Sequence, residues 1–161
     1  MNKTRWIVTT MFSLGLIACG KSENPPEDAL KVKQVGDQVT YETSGNDGQK
    51  VTITAGEKGV DLPADFPKDV PIIKAGVVRA SMSEGNQLIV QISWKGGINE
   101  AIKFYESEMK SHQWTIESRF STTDMSMISA KKKGRQATVT VSPDENDQVV
   151  IQIILVQDQD E

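Results

Sequence analysis

Residues 98–111 read Ile98-Asn99-Glu100-Ala101-Ile102-Lys103-Phe104-Tyr105-Glu106-Ser107-Glu108-Met109-Lys110-Ser111. Ile98, Ala101, Ile102, Tyr105 and Met109 recur at i, i+3, i+4, i+7 and i+11, one apolar face at helical period. Asn99, Glu100, Lys103, Glu106 and Lys110 mostly take the other face. Glu100 falls early, and Lys110 and His112 fall late, as the helix dipole favours. Gly96-Gly97 closes whatever precedes. This is the one helical pattern beyond the N-terminal leader, and its neighbours decide what it packs on.

Those neighbours alternate at period two. Val78, Ala80 and Met82 alternate with Val77, Arg79 and Ser81. After the turn Ser83-Glu84-Gly85-Asn86, Leu88, Val90, Ile92 and Trp94 alternate with Ile89, Gln91 and Ser93. Two such runs about a polar turn predict a hairpin. Beyond the helix, strands are predicted over 114–120, 125–131, 136–142 and 148–156. The last is apolar on both parities, from Val149, Ile151, Ile153 and Leu155 to Val150, Ile154 and Val156. That composition predicts a central strand covered on both faces. The order is ββα and then four strands. The expected fold class is α+β, one antiparallel sheet with one helix packed across it.

Working outward, residues 62–72 carry Pro63, Pro67 and Pro71. Prolines fix φ and remove donors, so this is a non-sheet lead-in that Leu62, Phe66, Val70 and Ile72 can pin to the core. Before it, Val39, Tyr41 and Thr43 and then Val51 and Ile53 alternate with polar residues about Ser44-Gly45-Asn46-Asp47-Gly48. This predicts a β-hairpin, with a third strand over 30–35 making a meander. Residues 20–29 hold Pro25-Pro26 and mixed charge without periodicity, a solvated linker.

The first residues are of another kind. Lys3 and Arg5 precede an uncharged run from Trp6 to Ala18, and Cys19 follows. A charged start, a short apolar run and a small residue at its end describe a secretory signal peptide. The run is shorter than the roughly 20 residues of a spanning helix. Leu16-Ile17-Ala18-Cys19 resembles the lipobox of bacterial lipoproteins. The resemblance implies acylation of the Cys19 thiol, cleavage before Cys19 and attachment of the chain to a membrane by lipid. Gly20 follows in place of an inner-membrane retention Asp, which implies the periplasmic side of the outer membrane if the source is Gram-negative. The Leu-Pro, Phe-Pro and Asp-Val-Pro elements of 62–71, with Phe104-Tyr105 and Trp114 after them, resemble small Gram-negative lipoproteins without assigned activity. Gln113 stands where that resemblance expects Gly. The expected division is signal peptide 1–18, lipidated tether 19–29, β-hairpin or meander 30–61, α+β domain 62–156 and polar tail 157–161.

Composition narrows the function. The 161 residues hold 18 basic and 22 acidic side chains, a formal net charge of −4. An acidic chain lacks the basic footprint that nucleic-acid binding needs. Acylation would consume the one cysteine, and the single His112 is a poor start for a zinc site. No cofactor, metal or catalytic residue is expected. His112 reads as a helix-end dipole partner. Asp144, Glu145 and Asp147, and Asn46-Asp47-Gly48, lack the length and closing Glu of an EF-hand and read as turns. Lys131, Lys132, Lys133 and Arg135 form the basic run, a candidate contact for anionic surfaces. Trp94, Tyr105 and Trp114, with Met82, Met109, Met125 and Met127, are core residues or a ligand or partner surface. The leading expectation is a non-enzymatic domain binding an envelope protein, anchored to the membrane through lipid on Cys19. One alternative is a carrier or sensor of an apolar ligand held between helix and sheet. Another is a cell-wall hydrolase using carboxylates such as Asp65 or Asp69.

Overall fold

The computed structural model describes residues 30–45, 48–144 and 147–158. Three strands come first: β1 (Lys31–Val35), β2 (Gln38–Ser44) and β3 (Lys50–Gly56). After the proline segment come β4 (Val77–Glu84) and β5 (Gln87–Trp94), then α1 (Ile98–Ser111). The remainder is β6 (Thr115–Ser121), β7 (Ser126–Lys132), β8 (Arg135–Pro143) and β9 (Val149–Gln157). All nine strands form one sheet in the order β1-β2-β3-β4-β5-β9-β8-β7-β6. Every neighbouring pair is antiparallel.

This overturns the expected α+β layout of ββα plus four strands with one helix packed across the sheet. The fold is dominated by its sheet. Residues 30–56 are not a satellite, because β3 pairs with β4 from Val51↔Glu84 to Ala55↔Ala80. The helix has 14 residues, about 21 Å of length. Nine strands spaced about 4.8 Å apart are about 38 Å wide. One such helix cannot cover that width, and α1 lies mainly on β6, β7 and β8.

The core sits where helix and sheet meet. Ala101, Ile102, Tyr105 and Met109 are fully buried on one side. Opposing them are Ile128 and Ala130 of β7, Ala137, Val139 and Val141 of β8, and Ile151, Ile153 and Leu155 of β9. Ladder register makes these neighbours, with Ile128↔Val139↔Ile153↔Val90 running across four strands. The proline segment closes the same face, with Val70 and Ile73 buried and Phe66 and Ile72 packed against the cluster. Its turns are closed by Phe66 N–H on the Pro63 carbonyl at 2.9 Å and Val70 N–H on the Pro67 carbonyl at 3.1 Å.

The helix ends have visible causes. Gly97 N–H donates to the Glu100 carboxylate at 3.2 Å, tying off the first turn. At the other end, Gln113 N–H bonds the Lys110 carbonyl and Trp114 N–H bonds the Met109 carbonyl. This double bond pattern is a Schellman cap, with buried Met109 and Trp114 as its apolar pair. Gln113 therefore holds a left-handed φ of +64°, a conformation that costs an L residue about 1–2 kcal/mol. Gln113→Gly should raise the stability of the fold by about 1 kcal/mol, read as a higher urea midpoint. An unchanged or lower midpoint would show that this strain is relieved elsewhere.

Candidate functional site

Four residues to which the sequence assigns three different roles meet at one point. Asp69, at the end of the proline segment, accepts two bonds from the Arg135 guanidinium, at 2.9 and 2.7 Å. Lys132 donates to the same carboxylate at 2.5 Å and to the His112 carbonyl at 2.7 Å. The Asp69 backbone carbonyl accepts the Trp114 indole N–H at 2.9 Å. Arg135 also lies 5.0 Å from the Trp114 ring centroid, a cation–π contact. The Arg135 bonds, then the Lys132 bond, hold the Asp69 carboxyl far below the ordinary carboxylate range against some desolvation. The Asp69 bond likewise raises Arg135 above its ordinary value.

This staple ties the proline segment to the β7–β8 hairpin and the end of α1. It turns Lys132 and Arg135 inward to a carboxylate. Of the basic run, Lys131 pairs with Glu117 at 3.6 Å, and Lys133 is exposed in the turn at a φ of +46°. The four cations of the run thus meet two carboxylates within the fold, Asp69 and Glu117. Asp65 stays exposed.

The aromatic candidates divide. Tyr105 and Trp114 are buried, so neither presents a surface. Burial pushes the Tyr105 hydroxyl well above its ordinary value, and the Ile73 backbone offsets this only in part. Trp94 is half-buried, with its indole N–H on the Lys74 carbonyl at 3.2 Å. Its ring lies over Gly96, where a Cβ would come within 2.0 Å of it. His112 caps the helix, its Nδ1 2.9 Å from the Glu108 carbonyl. Cys19, Asn46, Asp47 and Glu145 lie outside the described residues.

The two faces of the sheet differ. The helix and the proline segment share one face, and the other carries no helix among the described residues. On it β9 presents Val150, Gln152 and Ile154 half-buried and Val156 exposed. The expectation that β9 is covered on both faces is thus corrected. Register aligns an apolar row across this uncovered face: Val32↔Tyr41↔Ile53↔Met82↔Ile89↔Ile154.

A β-bulge breaks β4 between Val78 and Ala80. The extra residue is Arg79, and bulges of this kind re-aim a side chain. Arg79 lines three depressions, of which two are the larger. One, of about 780 Å³, is shared with Val39, Tyr41, Ala55, Asp37 and Glu57. The other, of about 410 Å³, is shared with Gln91, Ser93, Asp144, Gln148 and Val150. Arg79 is half-buried and its guanidinium has no hydrogen bond or ion pair among the described residues. The alternation of 77–82 placed it as an ordinary strand residue, since a bulge leaves no mark in a period-two pattern.

Residues 77–159, from β4 through β9, match the family model described as START domain-like. The chain belongs to the START domain-like family. Membership is consistent with a ligand-binding domain. No curated protein and no solved structure matches the chain. The START domain-like stretch contains Arg79 and its bulge, whereas β1–β3 and the proline segment precede it.

Proposed function

We propose that this chain is a lipid-anchored envelope protein whose folded part binds another envelope component without catalysing a reaction. The observation that carries the reading is the uncovered sheet face, with its apolar row and, beside it, Arg79, which has no partner among the described residues. Family membership supports binding, and the lipobox-like Leu16-Ile17-Ala18-Cys19 supports the anchor. An apolar ligand is a second reading that the family favours. The helix–sheet interface expected to hold it is filled by Ala101, Ile102, Tyr105 and Met109. Such a ligand belongs on the uncovered face instead. A hydrolase using Asp69 is disfavoured, because both oxygens of that carboxylate are engaged by Arg135 and Lys132.

The anchor is tested by growth with an alkyne analogue of palmitate. Wild type should be labelled and sediment with membranes, and Cys19→Ala should take up no label. Normal labelling of Cys19→Ala would end the lipoprotein reading. The binding face is tested by photo-crosslinkers in native envelopes, at exposed Gln91 on the uncovered face and at exposed Lys103 on the helix. Adducts at 91 and none at 103 are expected, and the reverse would move the binding surface to the helix.

A further inference from the structure

Eight large apolar side chains are exposed among the described residues, and five of them are Leu30, Val32, Val35, Tyr41 and Ile53. Scattered singly they would need no explanation. Val35 faces the other way, on the Lys33 side of β1, but Val32, Tyr41 and Ile53 are directly paired across β1, β2 and β3 on the uncovered face. We propose that this end of the face docks on the lipid surface to which the chain is anchored, with Val32, Tyr41 and Ile53 among the lipids and Arg79 at their phosphates. The inference rests on the reading that Cys19 carries lipid.

The chain path selects the occupant. Leu30 is the first described residue and leads directly into β1. Residues 19–29, fully extended, reach at most about 40 Å. The β1 edge is therefore the part of the sheet nearest the anchor along the chain. Tyr41 has the apolar body and polar tip suited to a headgroup boundary. Arg79 shares its depression with Tyr41 and Val39, and its long stem can lie on apolar surface while its charge meets phosphate. Asp37 and Glu57 line the same depression. A headgroup carrying both phosphate and ammonium meets both signs of charge there. A second copy is a poorer occupant. Antiparallel pairing of two β1 edges centred on Lys33 would set the two Lys33 side chains opposite each other, and like charges so placed repel.

The test uses the full acylated chain in vesicles of phosphatidylethanolamine with phosphatidylglycerol. With Cys19 acylated, a new cysteine is the one thiol open to a fluorophore. Val32→Cys reports the uncovered face and Lys33→Cys the opposite one, on the same exposed strand. Ile53→Cys and Thr54→Cys repeat the comparison on β3. Lipids with quenchers on their chains should quench the labels at 32 and 53 severalfold more than those at 33 and 54. Equal quenching in protein that floats with the vesicles overturns the docking and leaves the anchor standing. Protein that does not float overturns the anchor and the docking together.

Discussion

Trp114→Ala should destabilise the domain by about 3–5 kcal/mol, the usual cost of truncating a buried large aromatic. Trp114 is 2% exposed at the join of helix, proline segment and β7–β8 hairpin. The substitution opens a cavity, deprives the Asp69 carbonyl of the indole donor and removes the ring beneath Arg135. Domains have roughly 5–15 kcal/mol in total. The variant should melt roughly 6–20 °C below wild type, at 2–4 °C per kcal/mol for a chain of this size. A shift of a degree or less would mean that the join is not where the stability lies.

Asp69→Asn should cost about 2–4 kcal/mol at neutral pH. Breaking a fully buried pair by removing one partner costs about 3–5 kcal/mol. The value here is set lower because the three side chains retain 14–26% exposure. Two cations would be left facing a neutral amide. The pH dependence follows from sign. The folded-state pKa of Asp69 is depressed, so its contribution is complete above the unfolded value of about 3.9. It is lost as pH falls below that value and through the folded one. The gap between wild type and Asp69→Asn, read from urea midpoints, should therefore be widest at pH 7 and narrow below about pH 4. A gap that grows on acidification would contradict the assigned direction. Replacing Asp69, Lys132 and Arg135 together by apolar residues should cost less than Asp69→Asn alone.

The legible part of this fold is local. Helix α1 runs over the residues that its apolar spacing marks, Ile98–Ser111, because 3.6-residue periodicity is set by local geometry. The hairpin of β4 and β5 and the strands β7 to β9 are likewise marked by alternation and turn residues. What alternation does not carry is how wide a sheet becomes. Val39, Tyr41, Val51 and Ile53 mark two strands, but nothing in them says that β3 will pair with β4 rather than stand apart. Ile154 and Val156 misled for a related reason. Apolar residues on both parities do not say whether any other element of the fold covers the second face. The candidate site was less legible still. Arg79 is re-aimed by a one-residue bulge, which depends on the pairing of β4 with β5. Asp69 lies 63 and 66 residues from its two cationic partners, so their meeting depends on tertiary structure.

The uncovered face gives the account its center, and hydrogen–deuterium exchange tests it most directly. The full acylated chain on phosphatidylethanolamine–phosphatidylglycerol vesicles is compared with the processed, unacylated chain carrying Cys19→Ser in solution. β1 and β6 are the two edges of one sheet, so each serves as the other's control. Exchange on vesicles should slow across β1, β2 and β3, with β6 and β7 unchanged. Slowing at β6 and β7 instead, or equal exchange at both edges, would contradict docking of the β1 end.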